Sequence, residues 1–320
     1  MDIAGDIGGT HTRLALFDPG TAGPAALEVY SSRDHDGLEA MVRAFLDAHP
    51  AQVERACFGV AGPVQNGHVK TTNLAWPVDA RRVAEVLGID RVGLVNDLYA
   101  NAYGIADLGP GDIATLREGD PSMGGNAAVI SAGTGLGEAG LFWDRRRYHV
   151  FATEGGHTDF APRDDAETAL RAHLARNHAH VSYERVCSGM GLVAIHDFLS
   201  RREGVGVGRT DASAITKAAL DGSDEVCARA LDMMVSIYGA ETGNLALKLL
   251  ATGGIYIGGG IAPRILRKLQ EGAFLEALDA KGRFSELLSR IPVHVILNDR
   301  TALLGAARLA RGEEPGLHHR

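Results

Sequence analysis

Apolar positions along the chain recur with two periods. Leu38, Met41, Val42, Phe45 and Leu46 fall at i, i+3, i+4, i+7 and i+8, which predicts an amphipathic helix. The same test predicts helices over 78–87, 165–177, 182–200, 212–221, 224–250 and 301–311, and one after Asn96-Asp97 with Leu98, Ala102 and Ile105 on one side. Short apolar runs closed by glycine, proline or asparagine predict strands over 26–32, 56–60, 92–95, 126–132, 255–257 and 292–297. A further helix is expected after Gly258-Gly259-Gly260, with Pro263 near its start. Residues 107–126 hold five glycines and two prolines in polar sequence and read as a linker. Strands alternating with helices predict an α/β fold.

The first strand runs into Asp6-Ile7-Gly8-Gly9-Thr10, and Leu14, Leu16 and Phe17 then resume strand character. This is strand, tight turn, strand, with glycines where side chains would otherwise block another group. Consecutive N–H groups in such a turn make a concave anion site, and Asp6 beside it is a ligand for Mg²⁺. A plain hairpin uses the same residues. The pattern recurs at 131–143: with an offset of 125, Gly8 meets Gly133, Leu16 meets Leu141 and Phe17 meets Phe142. Both stretches open a run of strands followed by helices, so two like domains are expected.

Composition removes several classes. The chain has 320 residues, 45% hydrophobic and 22% charged, enough for two folded domains and unlike a disordered chain. Net charge is -8, and Arg145-Arg146-Arg147 is a solvated turn rather than a basic arm, so no nucleic-acid partner is expected. Cys57, Cys187 and Cys227 are sparse and odd in number, which fits buried thiols in a reducing compartment and not a disulfide framework or zinc site. The acidic start is no signal peptide, and the apolar stretch 243–262 carries Asn244, Lys248 and many glycines, so no membrane span is expected and the location is cytoplasmic.

Five further stretches carry chemistry. Gly135-Leu136-Gly137-Glu138-Ala139-Gly140 has the spacing of a dinucleotide fingerprint, but Leu141-Phe142-Trp143 continue a strand where that fingerprint needs a helix. Asn96-Asp97 ends a strand, where a carboxylate either takes a proton from an attacking hydroxyl or caps the next helix. Glu154-Gly155-Gly156-His157 lacks a helical metal-ligand spacing and suits hydrogen bonding to a polyol, or is simply a polar loop. Glu184, after Ser182 at a presumed helix start, reads as a first-turn acid opposing the dipole. Gly258-Gly259-Gly260 lets a flat ring or a phosphate approach backbone, or lets helix and strand pack closely.

Taken in order, Gly5-Asp6-Ile7-Gly8-Gly9-Thr10, Thr72-Asn73-Leu74-Ala75-Trp76, Val95-Asn96-Asp97, Gly133-Thr134-Gly135-Leu136-Gly137, Glu154–Phe160, Glu184–Gly189 and Gly258–Pro263 resemble the bacterial glucokinase family. That family belongs to the hexokinase/actin-like ATPase superfamily, and the likeness runs from the first strand to the last helix. The resemblance implies two actin-like (ribonuclease H-like) α/β domains with a cleft between them: 1–107 plus 298–320, and 108–297. It implies ATP-dependent phosphorylation of D-glucose at the 6-hydroxyl, with Asp97 as catalytic base. Asn73, Asn96, Asp97, Glu154, His157 and Glu184 match glucose-binding positions. Gly5, Asp6, Ile7, Gly8, Gly9 and Thr10, then Gly133, Thr134 and Gly135, match phosphate loops, and Gly258, Gly259 and Gly260 match the adenosine loop. Asp6 would hold Mg²⁺ through water, and the family is often homodimeric. His11 and Met190 depart from the family's usual Asn and Pro. The zinc-binding Cys/His cluster of the related repressor/ORF/kinase branch is absent from the sequence. Two other readings use much of the same set: a kinase for another hexose or an N-acetylhexosamine, and a non-catalytic nucleotide switch like actin or a chaperone. The switch has no use for a polyol shell.

Overall fold

A computed structural model of the chain describes residues 1–320 other than 22, 71–73, 121, 207–210 and 316–320, so Asn73 lies outside the described residues. It divides into two compact units: Met1–Asp112 with Leu141–Ala152 and Asn298–Arg320, and Ile113–Gly140 with Thr153–Leu297.

The first unit opens with the hairpin β1 (Asp2–Ile7) and β2 (His11–Phe17), followed by β3 (Ala26–Ser31), α1 (Leu38–Ala48) and β4 (Arg55–Val60). A small ribbon, β5 (His68–Val69) and β6 (Val78–Asp79), leads to α2 (Ala80–Leu87), β7 (Gly93–Asn96) and α3 (Asp97–Gly104). The sheet runs β3-β2-β1-β4-β7, with β1 antiparallel to β2 and parallel to β4. Leu38, Met41, Val42 and Phe45 are fully buried among Ile3, Leu14 and Phe58, as their helical spacing requires. The helix expected over 78–87 starts later. Asp79 ends β6, and its carboxylate accepts the Arg81 N–H at 2.9 Å, capping α2.

The second unit and its sheet comprise β8 (Ile113–Arg117), β9 (Ala127–Ala132), β10 (Leu136–Trp143), β11 (Tyr148–Thr153), α4 (Asp165–Leu174), α5 (Gly189–Glu203), α6 (Ala212–Leu220) and α7 (Glu225–Leu249), of which Leu141–Ala152 groups with the first unit. It ends with β12 (Gly254–Gly258), α8 (Leu266–Gln270), α9 (Ala273–Asp279), α10 (Ser285–Ser289) and β13 (Val293–Ile296). The sheet order is β11-β10-β9-β12-β13-β8. Three expectations need correction. The stretch read as a linker contains β8, which pairs antiparallel with β13 and is pinned by Arg117 to Asp279 at 2.7 Å and to the Ile291 carbonyl at 3.0 Å. The helix expected over 182–200 is a 3₁₀ turn, Tyr183–Arg185, and then α5, because Ser188 takes the Gly191 N–H and caps a fresh start. Residues 259–265 form turns, so Pro263 precedes α8 rather than lying in its first turn.

The repeat is a repeat of structure. Shifting β1 by 125 residues gives β9, and shifting β2 gives all of β10 but its last residue. Each hairpin leads the same central order, β3-β2-β1-β4-β7 in one unit and β11-β10-β9-β12-β13 in the other, with β8 added at one edge.

The last helix, α11 (Thr301–Arg311), returns to the first unit, where Leu303, Ala306 and Ala307 pack with Ala4, Ala15 and Phe17. It crosses α3 at glycines. A Cβ on Gly305 would lie 1.7 Å from the Ala100 carbonyl oxygen, and one on Gly104 would lie 1.9 Å from that of Thr301. The two backbones therefore touch, and α3 is held against the unit by main-chain contact. No described helix is long and apolar enough to cross a membrane.

Candidate active site

In the first unit the turn between β1 and β2 is closed by the Gly8 N–H to the His11 carbonyl at 3.0 Å. Ser32 braces it, donating to the Gly8 carbonyl at 2.6 Å and receiving the Thr12 hydroxyl at 2.9 Å. Gly5 is explained by packing, since a Cβ there would lie 2.4 Å from the Phe58 ring. Asp6 faces Arg13 across the hairpin, with Arg13 Nη1 at 3.3 Å, and Arg13 Nη2 reaches Asp299 at 2.9 Å. Burial raises the Asp6 carboxyl above the usual carboxylate range despite Arg13. A lone hard carboxylate beside backbone donors leaves the other coordination positions to water and phosphate oxygens, the donor set Mg²⁺ takes. The residues present fit that ion, whose charge would also stabilise the ionised carboxylate.

β7 delivers Asn96 and Asp97 to the start of α3. The Asn96 side chain is the cap: Oδ1 accepts the N–H groups of Leu98 at 2.9 Å and Tyr99 at 3.1 Å, and Nδ2 donates to the Gly62 carbonyl at 3.3 Å. The Asn96 side chain therefore caps α3. Asp97 is the first helical residue, and its Oδ1 accepts the Leu98 N–H at 2.9 Å. The helix dipole there favours a carboxylate.

In the second unit the structure brings Glu154, His157 and Glu184 together. His157 Nε2 lies 4.0 Å from Glu154 and its Nδ1 lies 3.9 Å from Glu184. The imidazole stands between two carboxylates at longer than hydrogen-bond distance, which leaves donors and acceptors for a polar guest. His180 steadies the group by donating Nε2–H to the His157 carbonyl at 2.8 Å. Glu184 also joins this cluster to the second glycine turn: Oε2 accepts the Leu136 N–H at 3.0 Å, and a Cβ on Gly135 would lie 2.3 Å from that oxygen. Gly135 is therefore glycine because Glu184 occupies its side-chain space. The start of α5 closes on the same turn through the Gly189 N–H to the Gly133 carbonyl at 2.8 Å.

The third glycine stretch, Gly258-Gly259-Gly260, leaves β12. Gly259 has a φ of 84°, and a Cβ on it would lie 2.3 Å from the Ala132 carbonyl oxygen. Beside this stretch is a cavity of about 440 Å³ lined by Leu192, Ala212, Thr216, Ile261, Arg264 and Ile265. It has the size of a small-molecule pocket. Its walls come from three separate segments, and sequence reasoning did not single them out. Sequence reasoning also passed over Glu138, which is buried on β10 with a carboxyl pushed up to about 8, first by burial and then by the charge of Glu241.

Two α/β sheets with one central strand order, each containing a glycine hairpin, give the actin-like ATPase fold. The family model described as Glucokinase matches residues 3–313. The glucokinase of a Nostoc species is 44% identical over 335 residues, covering 96% of this chain and 98% of the relative. Among solved structures, the glucokinase from an Antarctic psychrotroph is 32% identical with a TM-score of 0.84, covering 98% of this chain and 99% of the other. The Balamuthia mandrillaris glucokinase, solved in complex with glucose, shares the fold at 21% identity and a TM-score of 0.81, over 97% of this chain and 93% of the other. The chain belongs to the glucokinase family.

Proposed function

We propose that this protein transfers the γ-phosphoryl group of ATP to the 6-hydroxyl of D-glucose, releasing ADP and glucose 6-phosphate. The observation that carries the reading is the Glu184 carboxylate, which accepts the Leu136 N–H at 3.0 Å and stands 3.9 Å from His157. One residue thereby belongs both to a polyol-binding cluster and to the strand leaving a phosphate turn.

In this reading Glu154, His157 and Glu184 take sugar hydroxyls, with Asn73 and Asn96 assisting. Asp97 accepts the proton of the 6-hydroxyl as its oxygen bonds to phosphorus and the bond from phosphorus to the β,γ-bridging oxygen breaks. The turns Gly5–Thr10 and Gly133–Gly135 donate N–H groups to phosphate oxygens, and Gly258–Gly260 lies along the adenosine, with the base in the cavity beside it. Asp6 would hold Mg²⁺ through water, and that ion would supply charge neutralisation at the phosphates. A shell of polar groups selects for hydroxyls, because an analogue lacking one leaves its partner unpaired in the complex. The reading includes a cytoplasmic enzyme working as a homodimer, and sedimentation should then give twice 33.8 kDa.

The test is a panel of hexoses and N-acetylhexosamines against ATP, ADP and polyphosphate, following sugar phosphate directly. Glucose with ATP should give glucose 6-phosphate and ADP in equal amounts. ADP release that ignores sugar, or a faster reaction with another hexose, would overturn the assignment.

A further inference from the structure

Glu138 is the one acid in the β10 hairpin, and it points inward. Its residue exposure is 2%, and Oε1 has no hydrogen-bond partner. Its carboxyl lies on the α-carbon of Gly155: a Cβ there would be 1.8 Å from Oε2 and 2.7 Å from the carboxyl carbon. Gly156 rests on the same strand, since a Cβ on it would lie 2.0 Å from the Leu136 carbonyl oxygen. The contact is reinforced by Thr153, whose hydroxyl donates to the Glu138 carbonyl at 3.2 Å and accepts the Gly155 N–H at 3.1 Å. The turn that carries Glu154 and His157 is thus seated on residues 136–138, with the Glu138 carboxyl as its floor.

The repeat sharpens this. Shifted by 125, Glu138 occupies the place that Arg13 holds in the first hairpin. Arg13 pairs with Asp6 and Asp299. Among the described residues, Glu138 has no cation in hydrogen-bond contact. We infer that Glu138 is a positioning residue, and that its carboxyl, packed on the Gly155 α-carbon, sets where the Glu154–His157 turn presents its sugar-binding groups. The inference rests on the proposed glucose site.

The carboxyl does this as a neutral acid. Burial, and then the Glu241 charge, hold it protonated up to about pH 8, against the opposing pull of Lys248. Glu241 and Lys248, paired at 3.2 Å, face it from α7, as does Tyr238, and the Cys187 thiol faces it from the segment before α5. Burial pushes that phenol and that thiol well up, so both stay neutral where Glu138 titrates. Above about pH 8 the carboxyl becomes a buried anion beside Glu241, and the turn it supports must shift to hydrate it.

The test measures glucose KM and kcat from about pH 6 to about pH 9.5 in the wild type, Glu138→Ala and Glu138→Gln. In the wild type, glucose KM should climb above about pH 8, approaching tenfold per pH unit, while ATP KM stays level. Glu138→Ala should raise glucose KM on the order of tenfold at neutral pH with kcat much less affected. Glu138→Gln keeps the shape and neutrality, so it should hold the neutral-pH KM within about twofold and lose the alkaline climb. If the alanine variant does not fold, the glutamine profile decides alone. A wild-type KM in a folded Glu138→Ala enzyme, or an alkaline climb that persists in Glu138→Gln, overturns the inference. A wild-type protein that makes no glucose 6-phosphate overturns the proposed function instead, and so is told apart from a failure of the positioning role.

Discussion

Gly305→Ala sets two backbone effects against each other at the crossing of α11 and α3. Within α11 the change replaces a poor helix former with the best one, a gain of about 1 kcal/mol. At the crossing, the new Cβ would lie 1.7 Å from the Ala100 carbonyl oxygen and 2.7 Å from the Gly104 nitrogen. Both are main-chain atoms of α3, so no rotamer change relieves the overlap. Ordinary carbon contacts near 3.5 Å require the helices to part by well over an ångström, on the order of 1.5 Å or more. Overpacking of this kind costs roughly 1–3 kcal/mol, and a backbone clash belongs at the upper end. The clash outweighs the propensity gain, leaving a net loss of roughly 2 kcal/mol. For a chain of 320 residues that corresponds to a fall in Tm of about 3 °C. In the proposed reaction the same displacement reaches function, because Asp97, the proposed base, is the first residue of α3. A carboxylate moved by about 1 Å from a reacting hydroxyl costs on the order of 100-fold in rate. The measurements are a thermal melt and kcat at saturating glucose and ATP, taken well below the variant's Tm. An unchanged Tm refutes the close-crossing argument. A lowered Tm with wild-type kcat refutes the claim that the crossing seats Asp97.

Four further outcomes follow from the same geometry. Asp97→Asn should lower kcat by about 10²–10⁴-fold while calorimetry still detects glucose binding, because only the proton acceptor is lost. Glu184→Gln weakens both the hold on the Leu136 N–H and the acceptor offered to a sugar hydroxyl, so glucose KM should rise about tenfold or more, and a KM unchanged for every hexose counts against the sugar shell. Asn96→Ala removes the cap that takes the Leu98 and Tyr99 N–H groups, and denaturant unfolding should register a loss of about 1 kcal/mol. The Glu138 carboxyl binds its proton more tightly folded than unfolded, so its stabilising contribution is complete below the ordinary glutamate value of 4.5 and is lost as pH rises toward about 8; urea titrations should show a decline in that window, at most about 1.4 kcal/mol per pH unit, which Glu138→Gln abolishes.

The sequence displayed whatever depended on local pattern. The 3.6 spacing from Leu38 to Leu46 becomes the buried face of α1, and the helix read at 301–311 is α11 to the residue. Asn96-Asp97 was legible as a strand end because the apolar run stops there, although only the structure assigns the cap to Asn96. What stayed hidden was decided at long range. β8 lies between glycine-rich stretches and becomes a strand because β13, far along the chain, supplies its partner. The cavity walls at Leu192, Ala212 and Ile261 have no shared period and meet only when α5, α6 and the turn after β12 pack. Gly5 and Gly135 read alike as loop glycines. Yet one accommodates the Phe58 ring and the other the Glu184 carboxylate, neither of which is near in sequence.

The two hairpins show why a recognisable repeat did not disclose its own chemistry. The offset of 125 aligns backbone, and backbone hydrogen bonding and strand order are what the two halves share. Side chains at equivalent places have been given opposite tasks. At one such place Arg13 lies over Asp6 and neutralises a carboxylate beside the first turn. At the other, Glu138 is buried against Gly155 and supports a second turn by packing. The exchange of a cation for an acid is costly in isolation, because a buried carboxyl must either find a partner or keep its proton. Keeping the proton is tolerable only where the group seldom meets strongly alkaline conditions. Its presence in the hairpin that also holds Glu184 through Leu136 accords with the positioning role inferred for it. The halves thus differ in what fills equivalent places: one hairpin is balanced by charge, and the other is fitted to the loop it carries.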